Sequence, residues 1–341
     1  RSLQGTRGAT RLCCGGMRSG SISARLAVVV ALAAPASAAL ASLRLITLDL
    51  DDTLWPTGPV VQSANIALAT AVGADPQDLQ ARLRSHRSGA DPKPSYSEAR
   101  VLAIESWLNE RDGTASGHRN EAEAFFELWL AERHAAASRL LFDGAAEAVA
   151  AVRRQHPDAL VAAVTNGRGD PLVMPSLRRH FDFTISAEDA GIYPERKPAA
   201  APFLAALRKA GVARPAPATW AHVGDDLVND IQAAKRLGAW AVWLDLDLEA
   251  DAAEAGGGGG AGPAPGPASS PDDAVDGGAV APGTANWYST MGAEERAARA
   301  RATDAARGSA DATIRQIGDL PEALSAASRR RGRACPLPGM G

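Results

Sequence analysis

Three short, mainly apolar runs in the middle of the chain lead directly into Asp49, Thr165 and the pair Gly224 and Asp225. The runs cover residues 43–48, 160–164 and 220–223. Apolar runs of this length are typical of strands buried on both faces of a parallel sheet. Because the carboxyl ends of parallel strands meet at one edge of a sheet, we expect these polar residues to lie close together.

Segments with helical periodicity separate these strands. They predict helices at 145–152, 202–210 and 229–237, and two more strands are predicted at 183–185 and 240–244. The alternation of helix, buried strand and polar loop predicts an α/β fold built on a Rossmann-like parallel sheet. We assign residues 43–58 and 141–248 to this core.

Residues 59–140, here called the inserted module, have a different pattern. Apolar residues recur at helical spacing in three segments, for example at Val60, Ala64 and Leu68. An apolar run typical of a buried strand does not interrupt them. The pattern predicts an all-helical domain inserted after the first strand of the sheet.

Beyond residue 248 the composition changes to glycine, alanine, proline and aspartate, and residues 249–309 are predicted to be a low-complexity, disordered insertion without chemistry. A helix around 294–301 is the one element expected within it. The core is predicted to return at 310–327 as an edge strand and a helix, followed by a solvated, arginine-bearing tail at 328–341.

Residues 1–42 are predicted to be a targeting segment. They contain five arginines and several serines, and the first acidic residue of the chain is Asp49. This favours an organellar transit peptide, for a chloroplast or a mitochondrion. A secretory signal is the alternative, because the apolar run 26–34 follows Met17 and two arginines. The run is too short for a transmembrane helix, so stable membrane insertion is not expected.

Composition excludes several other classes of protein. A formal net charge of −3 and the lack of lysine-rich runs argue against nucleic acid as a partner. The three cysteines are Cys13, Cys14 and Cys335, all near the termini, so neither a disulfide framework nor a thiolate metal site is expected in the core. The sequence does not indicate an oligomeric state.

Asp49 and Asp51 follow the first strand with one residue between them, so in an extended segment their carboxylates face the same space. Two such charges repel unless a cation neutralises them. We expect a hard divalent ion, Mg²⁺, held by Asp49 and the backbone around Asp51 with further oxygen ligands from elsewhere. The alternative is a turn or helix cap formed by Asp51, Asp52 and Thr53.

Four polar loops in this order resemble the motifs of the haloacid dehalogenase superfamily. The matching residues are the Asp49, Asp51 and Thr53 motif, Thr165 with Asn166, Lys197, and Gly224-Asp225 with a later Asp230. The resemblance covers residues 43–248 and 311–326. It implies that the inserted module is a cap domain and that the protein is a Mg²⁺-dependent phosphatase acting on a small-molecule phosphate ester.

The resemblance also implies individual roles. Asp49 would be the nucleophile that forms an aspartyl phosphate, and Asp51 the acid and base, which argues for ester hydrolysis rather than dehalogenation. The implied phosphate-binding residues are Thr165, Asn166 and Lys197. The implied metal ligands are Asp49, Asp51 and Asp225, with Asp226 and Asp230 as alternative ligands or as groups that orient the site.

Within the superfamily, the chain resembles phosphatases of riboflavin-pathway phosphates in its last motif at residues 223–226, in the aromatic Trp55 after the first motif, and in the longer segment 191–196 before Lys197. The substrate would then be FMN or 5-amino-6-(5-phospho-D-ribitylamino)uracil, contacted by Trp55, Tyr96 and Arg100. A sugar phosphate or phosphoglycolate is an alternative substrate.

A catalytically silent protein of the same fold is a less favoured alternative, because Asp49, Asp51, Lys197 and Asp225 are all present. A receiver-like signalling domain is disfavoured, because its phosphorylated aspartate ends a later strand.

Overall fold

The computed structural model describes residues 43–88, 90–212, 219–246 and 293–331, in which six parallel strands form one sheet of order β3-β2-β1-β4-β5-β6. The strands are β1 (Leu45–Leu48), β2 (Leu160–Thr165), β3 (Phe183–Ser186), β4 (Trp220–Gly224), β5 (Trp240–Leu244) and β6 (Ala312–Ile314). This confirms the predicted parallel α/β fold. The predicted targeting segment lies outside the described residues.

Strand β1 lies between β2 and β4 in the interior of the sheet, and its four side chains are buried. Leu48 pairs with Ala163 of β2 and with Val223 of β4, so Asp49 emerges between the ends of these two strands. The chain crosses from one half of the sheet to the other at this point, which is where open α/β sheets bind ligands.

Helices cover both faces of the sheet. Helix α5 (Ala145–Gln155) and the C-terminal helix (Leu320–Arg331) contact each other, and their buried side chains share one apolar cluster with β1. Helices α6 (Ala201–Lys209) and α7 (Ala233–Arg236) contribute to the cluster on the other side. Burial on both faces explains why the strands are apolar runs without alternation.

The inserted module consists of four helices that leave the core after β1 and return before α5. They are α1 (Thr57–Val72), α2 (Pro76–Ser88), α3 (Tyr96–Arg111) and α4 (Arg119–Arg139). Their facing sides form a separate apolar cluster that includes Leu68, Ile104 and Trp129. The module therefore has a core of its own, as the helical pattern of the sequence predicted.

The prediction that residues 249–309 form one disordered insertion is corrected at its end, where helix α8 (Ala293–Ala306) is longer than the helix expected around 294–301. Helix α8 packs against the core. Ala306 is fully buried, and the guanidinium of Arg299 contacts the carboxylate of Asp226. The part of the insertion from 249 to 292 lies outside the described residues. Helix α9 (Leu320–Arg331) extends into the segment predicted as tail.

The segment predicted as one α-helix at 229–237 begins with a wider, π-helical winding at Leu227–Gln232 and becomes α-helical only in α7. The N–H of Ile231 donates to the carbonyl of Asp226, five residues earlier, over 3.2 Å. The wider winding places Asp230 in the site described below. None of the helices in the described segments is both long enough and apolar enough to cross a bilayer.

Candidate active site

A buried lysine holds two carboxylates together at the carboxyl edge of the sheet. The Nζ of Lys197 lies 2.5 Å from Oδ1 of Asp49, which follows β1, and 2.6 Å from Oδ1 of Asp230, which belongs to the π-helical turn. All three side chains are buried. The tertiary fold has thus brought three distant parts of the sequence into one hydrogen-bonded group.

Electrostatics explain how these charges tolerate burial. Burial by itself lowers the pKa of Lys197, but the carboxylates of Asp230 and Asp49 outweigh it and raise that pKa. Burial likewise raises the pKa of Asp230, but the Lys197 charge and the hydrogen bond from His222 lower it to about 2. For Asp49, burial wins and the pKa is raised well above 3.8. One lysine therefore does not neutralise the whole site.

Three carboxylates have the arrangement of a divalent-cation site. Oxygens of Asp49, Asp225 and Asp230 all lie within 4.8 Å of one another. Burial raises the pKa of Asp225, and the neighbouring carboxylates raise it further because the cluster has an excess of negative charge. Oxygen ligands with such an excess suit Mg²⁺, and these residues fit the predicted ion. The side chain of Asp51 lies outside this cluster, and the predicted metal contact through the backbone around Asp51 stays a prediction.

Asp226 does not contribute to the cluster either. Its carboxylate accepts hydrogen bonds from the N–H groups of Val228 and Asn229, each over 2.8 Å, and it pairs with Arg299. It thereby caps the π-helical turn that carries Asp230. We assign Asp226 to the support of this turn rather than to metal binding.

The carboxylate of Asp51 contacts two residues that the sequence did not connect with each other. Nη2 of Arg133, from helix α4, lies 2.6 Å from Oδ1, and the indole nitrogen of Trp55 donates to the same oxygen over 3.0 Å. Arg133 was missed by the sequence analysis; the signal available was a charged residue within the apolar pattern of α4. Trp55 is fully buried, so the prediction that it stacks on a substrate is wrong.

The end of β2 and the loop after it carry Thr165 and Asn166, two of the residues predicted to bind phosphate. The hydroxyl of Thr165 accepts from the N–H of Gly167 over 3.0 Å, which leaves its own O–H to donate to a ligand. Asn166 uses its amide differently: its oxygen accepts from the N–H of Lys197 over 2.8 Å, and its nitrogen donates to the carbonyl of Lys197 over 3.1 Å. The side chain of Asn166 therefore positions Lys197, and its predicted contact with phosphate stays a prediction.

The sequence analysis also missed a series of hydrogen-bonded side chains next to Asp230. His222 is fully buried, with Nε2 3.4 Å from Oδ1 of Asp230 and Nδ1 2.8 Å from the hydroxyl of Thr47. Burial lowers the pKa of His222, which favours the neutral ring. The neutral ring can accept a hydrogen bond from Thr47 and donate one to Asp230, so it helps to hold the Asp230 carboxylate in place. A histidine and a threonine within apolar strands were the available signal.

The remaining predicted substrate residues lie in the inserted module. Arg100 is buried, and its guanidinium carbon lies 3.8 Å from the centroid of the Trp129 ring, so it packs within the module and its predicted substrate contact is wrong. Tyr96 is half-buried at the start of α3, with Arg87 stacked on its ring at 3.7 Å. Of the three predicted substrate residues, Tyr96 alone stays a candidate.

Gly224 is required for this geometry, because a methyl group built there would lie only 2.5 to 2.6 Å from the side chain of Asp230. We expect Gly224→Ala to push Asp230 away from Lys197, to reduce stability by about 1–3 kcal/mol and to reduce turnover strongly. Chemical denaturation and steady-state kinetics measure the two effects.

Gly318 provides the matched control, since a methyl group there meets nothing within 4 Å. Gly318→Ala should change the free energy of unfolding by less than about 0.5 kcal/mol. Equal effects of the two substitutions would contradict the packing argument.

Comparison with known proteins agrees with this geometry. The family model for haloacid dehalogenase-like hydrolases matches residues 43–238. The haloacid dehalogenase-like hydrolase domain-containing protein 3 of Xenopus laevis is 30% identical over 207 residues, which cover 58% of this chain and 82% of that protein. The phosphoserine phosphatase of Thermus thermophilus is 29% identical over 236 residues, covering 60% of this chain and 89% of that protein.

A solved structure gives the same result for the fold. The 2-haloacid dehalogenase from Pseudomonas syringae pv. Tomato superimposes with a TM-score of 0.52 and 27% identity, covering 83% of this chain and 99% of that chain. This similarity agrees with the α/β fold of the described residues. The chain therefore belongs to the haloacid dehalogenase-like hydrolase family.

Proposed function

We propose that this protein is a Mg²⁺-dependent phosphatase that hydrolyses a small-molecule phosphate ester through an aspartyl-phosphate intermediate. The observation that carries the proposal is the contact of Lys197 with Asp49 at 2.5 Å, beside the three-carboxylate cluster. A nucleophilic carboxylate that attacks an anion needs cationic partners. The similarity to a phosphoserine phosphatase supports the same reaction class.

In the proposed first step, a carboxylate oxygen of Asp49 forms a bond to phosphorus while the bond from phosphorus to the ester oxygen breaks. Asp51 gives its proton to the departing oxygen, so the product leaves as an alcohol. In the second step, Asp51 takes a proton from water, and the oxygen of that water attacks phosphorus. The bond between phosphorus and Asp49 then breaks, which restores Asp49 and releases inorganic phosphate.

The rest of the site compensates the charge of the phosphoryl group. Lys197 is placed to contact its oxygens as well as Asp49, and the Thr165 hydroxyl can donate a further hydrogen bond. Mg²⁺, held by Asp49, Asp225 and Asp230, would supply the additional positive charge that an anionic ester requires. In the absence of substrate, Lys197 keeps Asp49 in place.

For the substrate, we propose FMN or 5-amino-6-(5-phospho-D-ribitylamino)uracil as the first compounds to test. The support is the resemblance in the last motif and the position of Tyr96 at the start of α3. The inserted module would act as the cap that selects the substrate. Phosphoserine, phosphoglycolate and sugar phosphates are the competing candidates, and the Thermus relative favours phosphoserine among them.

A dehalogenase is a second candidate function, because the Pseudomonas structure with the same fold is a 2-haloacid dehalogenase. The presence of Asp51 as an acid favours ester hydrolysis instead. Release of chloride from 2-chloropropionate separates the two activities.

A panel of esters tests the proposal directly. Purified protein is incubated with each phosphate ester above and with p-nitrophenyl phosphate, and released phosphate is measured with Mg²⁺ and after removal of the ion by EDTA. We expect multiple turnovers of at least one ester in Mg²⁺, and a loss of on the order of 100-fold or more after chelation. Halide release without phosphate release, or turnover of neither type of substrate, would contradict the proposed function.

A further inference from the structure

We propose that Arg133 is a positioning residue that sets the orientation of the Asp51 carboxylate, an inference that rests on the proposed function. Arg133 belongs to helix α4 of the inserted module, whereas Asp51 lies in the loop after β1. Nη2 of Arg133 donates to both oxygens of Asp51, over 2.6 Å to Oδ1 and 2.8 Å to Oδ2. The arginine is 3% exposed, so its side of the contact is shielded from water, whereas the side chain of Asp51 is 22% exposed.

The two oxygens of Asp51 have different surroundings. Oδ1 accepts a second hydrogen bond, from the indole nitrogen of Trp55 over 3.0 Å, and is therefore held from two directions. Oδ2 lies against Gly167, because a methyl group built on that glycine would be 3.0 Å from it. Gly167 belongs to the same loop as Thr165, the predicted phosphate contact. Oδ2 therefore faces this loop, here called the phosphate loop, and is the oxygen that would exchange the proton in the proposed reaction.

The backbone of Gly169 passes close to the guanidinium of Arg133, at a position where a side chain would crowd it. A methyl group built on Gly169 would lie 3.0 Å from Nη1 of Arg133 and 3.1 Å from the ring of Trp55. The same nitrogen, Nη1, is buried without a hydrogen-bond partner among the described residues. A buried donor without a partner reduces stability, and such destabilising features are found mainly at functional sites. Here the functional role is the fixed contact of Arg133 with Asp51.

This arrangement makes the acid and base of the core depend on the module. Asp51 can deliver its proton only if Oδ2 is within hydrogen-bond distance of the ester oxygen. Arg133 and Trp55 together prevent the carboxylate from rotating away from the phosphate loop. A displacement of α4 relative to β1 would move Arg133 and release that restraint.

The test uses leaving groups that differ in their need for a proton. An alkoxide leaves poorly without protonation, whereas p-nitrophenolate is stable as an anion. Loss of the Asp51 orientation should therefore reduce the rate of hydrolysis of an alkyl phosphate much more than that of p-nitrophenyl phosphate. For Arg133→Met we expect kcat/KM to fall at least tenfold more for the best alkyl ester of the panel than for the aryl ester. Because kcat/KM covers the steps up to the phosphoenzyme, hydrolysis of that intermediate does not affect the comparison.

Two further variants separate positioning from general damage. Trp55→Phe removes one hydrogen bond to Oδ1 and keeps a large ring, so it should shift the ratio of the two kcat/KM values in the same direction but less. It provides the test if Arg133→Met does not fold. In protein that also carries Asp51→Asn, Arg133→Met should leave the ratio unchanged, since the group it positions is gone.

Arg139 provides the matched control, because it lies on the same helix, is 57% exposed at its side chain and pairs with Glu132. Arg139→Met should leave the ratio at the wild-type value. An equal loss for both esters in Arg133→Met, or a shifted ratio in the Asp51→Asn background, would show that Arg133 is merely structural while the phosphatase proposal stands. If the wild-type protein hydrolyses neither ester, the proposed function fails and this inference fails with it.

Discussion

Asp49→Asn should abolish ester hydrolysis, with kcat reduced by on the order of 10⁴-fold or more, because an amide is not a nucleophile toward phosphorus. The substitution keeps the size of the side chain. Because burial raises the pKa of Asp49, charge at this position is unfavourable in the folded state, and its removal should not reduce stability. Activity should therefore be lost while stability is retained. Phosphate release and thermal unfolding measure them on the same preparation.

Asp158→Asn is the control for the Asp49 variant, since Asp158 is exposed in the turn before β2, at the opposite end of the sheet. It makes the same chemical change and should leave kcat at the wild-type value. Unchanged turnover of p-nitrophenyl phosphate by Asp49→Asn would remove Asp49 from the role of nucleophile.

Lys197→Met should have the largest effect on stability. The substitution leaves Asp49 and Asp230 buried and without their shared cation, and breaking a buried pair by removing one partner typically costs about 3–5 kcal/mol. Turnover should also be lost, because nothing else among the described residues holds Asp49 from that side. Urea denaturation at pH 7, together with phosphate release, measures both effects.

The stability difference between the wild type and Lys197→Met should depend on pH. Burial by itself would raise the pKa of Asp230, but the charge of Lys197 outweighs it, and the pKa is lowered from 3.8 to about 2 in the folded protein. A lowered pKa stabilises the folded state above the ordinary value and loses this effect as the pH falls toward the folded value. The contribution of Asp230 to the stability of the wild type should therefore be complete above pH 3.8 and decrease as the pH falls to about 2, and the advantage of the wild type over Lys197→Met should have decreased by the end of that range.

Lys235→Met is the matched control for the lysine variant. Lys235 also pairs with an aspartate, Asp311, but its side chain is 40% exposed. Exposed ion pairs contribute about 0–1 kcal/mol, so this variant should remain near wild-type stability. A Lys197 variant as stable as the Lys235 variant at neutral pH would mean that the buried charges are compensated in some other way.

Much of the architecture could be predicted because local sequence patterns carry it. Buried strands need apolar side chains on both faces, and the runs at 160–164 and 240–244 could be recognised by that alone. The amphipathic spacing of the inserted module marked its helices in the same way. Motif order then indicated that Asp49, Lys197 and Asp225 would meet, because the ends of parallel strands share one edge.

Other features depended on contacts between distant segments and could not be read locally. A helix was expected around 294–301, but its full length and its packing on the core through the pairing of Arg299 with Asp226 could not be predicted from the low-complexity composition of that segment. The substrate role predicted for Trp55 was wrong because the ring turns inward and donates to Asp51. An aromatic residue next to a motif has the same pattern in either case.

The sequence by itself therefore determined the fold class, the order of the motifs and the residue types available for chemistry, since periodicity and strand ends are local properties. Only the tertiary structure decided which carboxylates share a cluster and which are paired elsewhere. It placed Asp230 beside Lys197 and turned Asp51 toward Arg133, 82 residues away in the chain. The physical reason is that a side chain's role depends on the charges within a few ångströms of it, and those neighbours come from parts of the chain that have no local pattern in common.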